Sequence, residues 1–410
     1  METYFDDLRE SNEFLNILLD NMNSAVLIAD ENLQIHHFND NFVQLFKKSE
    51  EGVLIKRFGG ATGCIYSVEE SKACGETSQC ESCILRRSAL KTLLEKVPVD
   101  KVKLERVFYI EGVTTSKFLE ISTRHVHFQG KKMILIIIYD VTEIEQQKIE
   151  LQEKQQQIEQ DLKAAAGIQQ SLLPAYSPLT GALNIAWKFE PYSQIGGDIF
   201  NLHYPGKNHI ELYMLDVCGH GVPAALIAVS VSQFLQSKRS LSGAESGVIS
   251  PEEVLNSLEQ AFPFERFDSY FTIIYIAIDF STNRLTYSCA GHPPPILLRS
   301  NGELKVLDRR GSAIGLGTSQ PFGQEEEKLQ LGDKVILYTD GILENSNSTG
   351  EVFGKDRFYG VLHKHRDHSA EGIVEAVYSA VKDFGKDTEL DDDISILVAE
   401  YVGNQQRRRN

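Results

Sequence analysis

Three kinds of hydrophobic pattern succeed one another along the chain. The first third carries short apolar runs broken by turns. Residues 25–29 and 33–38 flank Asp30, Glu31 and Asn32, a turn-forming trio, and together read as a hairpin. A helical pattern precedes them over 14–22, and Asn39 stands where it can cap a second helix over 41–46. Residues 49–82 show no period, 84–96 read as a helix, and strand patterns follow over 101–110, 117–128 and 132–139. Phe118, Ile121 and Val126 interleave with polar neighbours, as a half-buried antiparallel strand requires.

The pattern then changes. Residues 142–173 are rich in Gln, Glu and Lys, with no Pro and one Gly. Ile144, Leu151, Ile158, Ala165 and Leu172 recur every seven residues, which predicts one complete seam of a left-handed coiled coil. The other seam (Val141, Lys148, Gln155, Leu162, Gln169) is half polar, so the pairing is a weak one; the bland reading is a solvated spacer helix. Pro174 ends it. Beyond 183, strand runs over 184–189, 210–217, 271–280, 284–290, 295–299, 334–339 and 394–402 mix with helical runs over 222–236, 251–261 and 369–384. Tight turns such as Ser281, Thr282 and Asn283 favour antiparallel sheets with helices outside. The tail over 405–410 reads as frayed.

Length and charge narrow the picture. At 410 residues the chain predicts two or three domains, and 42% apolar with 24% charged residues is a globular balance. Lys plus Arg number 41 against 58 Asp plus Glu, a net charge of −17. That argues against a nucleic-acid binder or an anionic-membrane binder, both of which need basic faces. The longest clean apolar run, 133–139, falls far short of the roughly 20 residues of a membrane span. The acidic start shows no secretory pattern, so a cytoplasmic setting with reduced thiols is expected.

Four acidic positions stand out. Asp198 follows Gly196 and Gly197; Asp216 closes the strand ELYMLD; Asp340 closes VILYTD and precedes Gly341; Asp391, Asp392 and Asp393 lead into ISILVAEYV. Any one alone reads as a turn residue. Together, at the ends of hydrophobic runs with glycines alongside, they suit an all-oxygen site for Mg²⁺ or Mn²⁺, since converging carboxylates repel unless cations compensate. Two such ions could hold a bridging water and clamp a phosphoryl oxygen. Cys218 reads as a small buried residue rather than a thiolate nucleophile, for CGHGVPA holds no Arg.

The segments GGDIFN (196–201), DVCGHG (216–221), AGHPPP (290–295), LGDKVILYTDGILE (331–344) and DDIS (392–395) occur in that order. They resemble the SpoIIE/RsbU-type serine/threonine phosphatases, a branch of the metal-dependent protein phosphatase (PPM) superfamily, over 164–402; IQQSLLP (168–174) resembles the helix that precedes this domain. The resemblance implies an α-β-β-α sandwich with two Mn²⁺ or Mg²⁺ ions between the sheets. It implies that Asp198 ligates one ion largely through water, that Asp216 bridges both, that the Val217 carbonyl is a ligand, and that Asp340 and Asp392 hold the second ion. Asp393 and His220 would stand behind these ligands; His292, in a Pro-rich turn, reads as packing. Asn201 departs from the Asp common at its position, and no arginine can be assigned to the substrate phosphate. The implied substrate is a phosphoserine or phosphothreonine protein, a STAS-domain anti-sigma-factor antagonist by family usage.

The first third, with its order of elements and its closing Asp140, Val141, Thr142 and Glu143, resembles a PAS sensor domain. Inside it Cys64, Cys74, Cys80 and Cys83 fall within 20 residues, a set of four soft ligands that suits zinc, an iron–sulfur cluster or a dithiol switch. The expected organisation is therefore α+β: a PAS-like sensor over 1–140, a coiled-coil helix over 141–173, a phosphatase domain over 174–403 and a tail over 404–410, dimeric through sensor and helix. The rival reading is a non-catalytic sensor scaffold. A histidine kinase is excluded, because 141–173 contain no His and no Gly-rich ATP lid follows.

Overall fold

The computed structural model describes Leu19 and residues 21–128, 130–174, 182–206, 208–241, 249–317, 320–388 and 390–403. The helix expected over 14–22 lies almost wholly outside these residues, and the 405–410 tail entirely so. Two compact units divide the chain, Met1–Gln156 and Gln157–Asn410. Among the described residues no helix is long and apolar enough to cross a membrane.

In the first unit β1 (Ala25–Ala29), β2 (Ile35–Phe38), β3 (Val99–Ile110), β4 (Val113–Phe128) and β5 (Lys131–Asp140) form one antiparallel sheet in the order β2-β1-β5-β4-β3. Between β2 and β3 lie α1 (Asp40–Phe46), α2 (Phe58–Thr62), α3 (Ile65–Glu69) and α4 (Ile84–Glu95). The Asn39 carboxamide starts α1 as expected: its oxygen accepts from Phe42 N at 3.3 Å and from Val26 N at 2.8 Å, so one side chain both caps the helix and ties it to β1. Helices α2 and α3 occupy the stretch that shows no period, because five residues are too few to display one. Leu27, Ile35, Phe42, Phe46, Phe108 and Leu119 form the centre of this core.

A continuous helix, α5 (Thr142–Ser171), spans the heptad region. Ile144, Leu151 and Ile158 of the predicted seam are 65%, 67% and 59% exposed. Gln169 and Leu172, read as seam positions, do otherwise: Gln169 is buried and Leu172 packs against the core of the second unit. The seam therefore stops short of these two residues.

The second unit stacks two antiparallel five-stranded sheets. One has the order β13-β10-β9-β8-β7, from β7 (Ile199–Gly206), β8 (His209–Val217), β9 (Phe271–Asp279), β10 (Arg284–Ala290) and β13 (Glu325–Lys328). The other has the order β12-β11-β14-β15-β6, from β6 (Leu183–Glu190), β11 (Ile296–Leu298), β12 (Leu304–Val306), β14 (Lys334–Tyr338) and β15 (Ile394–Tyr401). The side-chain period of two explains the layering. Val335, Leu337, Leu397 and Ala399 join the core shared with β8 and β9, whereas Ile336, Tyr338, Ile396 and Val398 face a second core. That outer core is closed by α10 (Gly354–Lys364) and α11 (Ala370–Phe384), and the opposite sheet is covered by α6 (Val222–Leu241) and α7 (Pro251–Ala261). Short helices α8 (Phe264–Phe267) and α9 (Gly341–Glu344) complete the unit.

Strands β7, β12 and β13 and helices α8, α9 and α10 were not legible in the pattern. Strand β13 reads EEEK and lies at a sheet edge, where Arg284 pairs with Glu326 across to β10 and no apolar face is needed. Helix α10 buries only Phe358 and Leu362, too few positions to show a stripe.

Leu397 is fully buried between the sheets. Leu397→Ala is expected to cost about 2–5 kcal/mol in urea unfolding of the second unit's transition. A cost near zero would mean that the inter-sheet layer does not carry this domain.

Candidate active site

The sheets end together at one edge, and there the predicted acidic residues meet. Asp216 sits at the end of β8, opposite Thr272 of β9. Asp340 follows β14 at the start of α9, and Asp392 and Asp393 immediately precede β15. Asp198 immediately precedes β7 and is 1% exposed.

Asp198 and Asp393 form the inner layer. The Asp198 carboxylate accepts from Thr339 Oγ1 at 2.8 Å and Ser395 Oγ at 2.6 Å. Asp393 accepts from the backbone N–H groups of Tyr192 at 2.7 Å and Asp198 at 3.2 Å. The neighbouring glycines are required by close approach: a Cβ on Gly196 would lie 2.2 Å from Asp393 Oδ2, and one on Gly341 would lie 2.1 Å from the Asp393 carbonyl oxygen. Asp393 thus braces the Gly196–Gly197–Asp198 turn from behind.

The outer layer is Asp216, Asp340 and Asp392. Burial, then the charges of Asp340, Asp392 and Asp393, push Asp216 from 3.8 up to about 8. Asp198 lies well above the ordinary carboxylate range, first through burial and then through Asp216 and Asp393, with the Ser395 and Thr339 hydroxyls opposing. Asp340 is raised by burial and by Glu344. Asp392 is raised by burial and by Asp393 and Asp340, with the Asp393 N–H and His220 acting the other way. All four shifts point one way: this edge holds more negative charge than its own donors can balance. The donors are all oxygen, the set that suits hard divalent cations. Among the described residues no three His, Cys, Asp or Glu side chains are arranged to hold an ion as they stand.

Other expectations are amended. Cys218 is exposed rather than buried, because it follows β8 in the loop that leaves the sheet edge. His220 is also exposed; its ring packs at 64° on Tyr192 with centroids 5.7 Å apart. His292 is buried, its pKa pushed down by that burial to about 3, and its Nδ1 bonds Thr272 Oγ1 at 2.8 Å. It therefore stays neutral and fixes the strand neighbour of Asp216. The fold also supplies cations that spacing alone did not: Arg309, Arg310 and Lys355 line one cleft with His292 and Tyr359.

The residues that sequence reasoning missed lie at the end of α5. Gln169 Nε2 donates to the Gly196 carbonyl at 2.7 Å, and Gly196 N donates back to Gln169 Oε1 at 3.2 Å. Asn201 Nδ2 donates to the Leu172 carbonyl at 2.6 Å. The helix end is therefore clamped to both flanks of Asp198. The IQQSLLP segment was the available signal, but a Gln at a heptad position reads as solvated or inter-helical.

Residues 206–402 match the family described as Stage II sporulation protein E (SpoIIE). Over these residues the chain is similar to the SpoIIE family. The chain is 28% identical over 246 residues to "Phosphoserine phosphatase RsbU" of Bacillus subtilis (strain 168), an alignment covering 60% of this chain and 71% of that protein. It is 26% identical over 191 residues to "Phosphoserine phosphatase RsbP" of the same organism, covering 46% and 45%. In fold it matches the SiaA-PP2C domain of Pseudomonas aeruginosa with a TM-score of 0.53 at 24% identity, over 60% of this chain and 98% of that one. The SpoIIE match begins after Asp198, which the fold nevertheless brings to the site beside Thr339.

Two predictions follow from the charge and from the clamp. In metal-free protein the raised Asp216 keeps its proton in the folded state between about pH 4 and 8, where the unfolded chain has lost it. The stability contributed by this group is thus full below about pH 4 and is lost as pH rises through this window. Mn²⁺ should restore it near neutrality and Asp216→Asn should flatten the fall; a melting temperature that climbs with pH across the window would contradict the assignment. Gln169→Ala strands two buried backbone groups and should cost about 1–3 kcal/mol. Exposed Gln170→Ala should cost under about 0.5 kcal/mol in the same unfolding titration.

Proposed function

We propose that the chain is a signal-regulated protein serine/threonine phosphatase, with phosphoserine or phosphothreonine on a partner protein as its substrate. The observation that carries this reading is the set of carboxylates gathered at one edge of the two-sheet sandwich, each raised above the ordinary range by burial and by neighbouring acidic groups. The match of residues 206–402 to the SpoIIE family supports this reading. RsbU and RsbP, which the chain resembles, are both named phosphoserine phosphatases.

In this reading Asp198, Asp216, the Val217 carbonyl, Asp340 and Asp392 would hold two Mn²⁺ or Mg²⁺ ions. Such ions, when bound, supply an acidic water as nucleophile and a Lewis acid for the phosphoryl oxygens. The protein's own part is positional. Thr339 and Ser395 orient the Asp198 carboxylate, Asp393 holds the turn that carries it, and His220 stands beside Asp392 at the solvent side. The Arg309, Arg310 and Lys355 cleft offers charge for the acidic phosphoprotein. By family usage that partner is a STAS-domain anti-sigma-factor antagonist, and the setting is the cytoplasm.

The first unit is read as the input. Its strand order 2-1-5-4-3, with the helices between β2 and β3, supports a PAS-type sensor, and the exposed Ile144, Leu151 and Ile158 seam of α5 supports pairing of two copies.

The test is Mn²⁺-dependent phosphate release from a phosphoserine protein by the full chain. Asp216→Asn should abolish it, and Thr339→Ala or Ser395→Ala should lower activity or metal affinity about 10–100-fold. No turnover with either ion, together with metal binding unaltered by Asp216→Asn, would instead favour a non-catalytic scaffold.

A further inference from the structure

The four clustered cysteines of the first unit lie on three separate local structures. Cys64 precedes α3, Cys74 and Cys80 lie in the loop between α3 and α4, and Cys83 precedes α4. All four nevertheless line a single cavity, whose floor is the apolar side of the sheet at Leu27, Ile35 and Phe108. None is in a disulfide, and each is partly buried. Cytosolic cysteines without a shared role have no physical reason to converge from three segments onto one void.

The surroundings of Cys80 are those of sulfur that carries negative charge. Cys80 Sγ accepts from Gly75 N at 3.0 Å and lies 3.0 Å from Thr77 Oγ1. Arg57, Arg86 and Arg106 line the same cavity, and Arg57 Nη1 is fixed by the Cys74 carbonyl at 2.9 Å. Three cations and two donors facing four thiols favour a bound group whose thiolate complex is anionic.

Two observations separate the candidate groups. A tetrahedral zinc site is closed, its four sulfurs about 2.3 Å from the ion with no space left over. Among the described residues no three cysteines are arranged, as they stand, to hold a single ion. The cavity instead keeps about 50 Å³ of room, on a scale where one water takes roughly 10–15 Å³. Four cysteines lining one void with room for several atoms fit a polynuclear centre. We propose that Cys64, Cys74, Cys80 and Cys83 ligate a [4Fe–4S] cluster within this cavity. The inference is independent of the phosphatase reading, since none of these residues belongs to the second unit.

The experiment is anaerobic reconstitution of the full chain with ferrous iron and inorganic sulfide, followed by iron, sulfide and zinc analysis and visible absorption. About four irons and four sulfides per chain are expected, with broad visible absorption that bleaches on reduction. Cys80→Ser or Cys83→Ser should at least halve the iron, while Cys218→Ser, outside the cluster, should leave it unchanged. Where a cysteine variant fails to fold, Thr77→Val serves instead. It removes one hydroxyl from the Cys80 sulfur and should move the reduction potential to more negative values. The proposal is overturned by one zinc per chain without sulfide, by iron that survives replacement of all four cysteines, by failure to retain iron, or by an unmoved potential in Thr77→Val.

Discussion

Asp198 is a carboxylate almost wholly removed from water, with a second buried carboxylate, Asp393, directly behind it. Burying one ionised group is costly, and burying two beside Asp216 is more so. The C-terminal domain meets this cost with donors chosen from several strands at once. Thr339 comes from the end of β14, Ser395 from the start of β15, and the N–H of Tyr192 from just beyond β6. These groups stand together only if β6, β15 and β14 hold their register and the two sheets stay stacked. The inter-sheet core and the charge at its edge are thus one construction. Packing sets the donors in place, and the donors allow the acid to be buried. What they leave unbalanced, seen in the raised Asp216, is the affinity available for a cation.

The same turn is where the helix α5 ends. Gln169 satisfies both backbone groups of Gly196, two residues from Asp198, and Asn201 holds the Leu172 carbonyl three residues beyond it. A shift or rotation of the helix end has to be absorbed by this turn, because Asp393 blocks movement of Gly196 in the other direction. That gives a physical meaning to the departure at position 201. An Asp there would face the Leu172 carbonyl with an acceptor and no donor, whereas the Asn carboxamide supplies the N–H. The change belongs to the attachment of the helix and leaves the acid cluster itself alone.

This explains which parts were legible in the sequence. Strands β8, β9, β14 and β15 are buried on both faces and read as apolar runs, so the aspartates at their ends could be picked out. Edge strand β13 and the one-sided helix α10 bury too little to leave a pattern. Asp333 makes the converse point. It is as buried as Asp198 and also borders a strand, but Arg299 Nη1 at 2.8 Å and the Gln330 and Ser300 amides satisfy it, so it is a structural acid. Spacing along the chain cannot tell these two aspartates apart; only the partners brought by the fold can. Gln169 was misread for the same reason, since its partner lies 27 residues away.

The two candidate centres of the chain differ in donor chemistry, and that difference matters for a cell that offers several metals. The edge of the second unit presents carboxylate oxygens around a site of excess negative charge, a setting that selects hard ions such as Mg²⁺ and Mn²⁺. The cavity of the first unit presents thiols with N–H, hydroxyl and guanidinium groups around them, a setting that selects soft or thiophilic centres. His292, the buried imidazole opposite this edge, is kept neutral by its burial and is engaged with Thr272 through Nδ1. The two donor sets therefore suit different metals. Occupancy of the cysteine cavity can vary without competing for the ions that the carboxylates need, which is the condition for one centre to report on the cell while the other does chemistry.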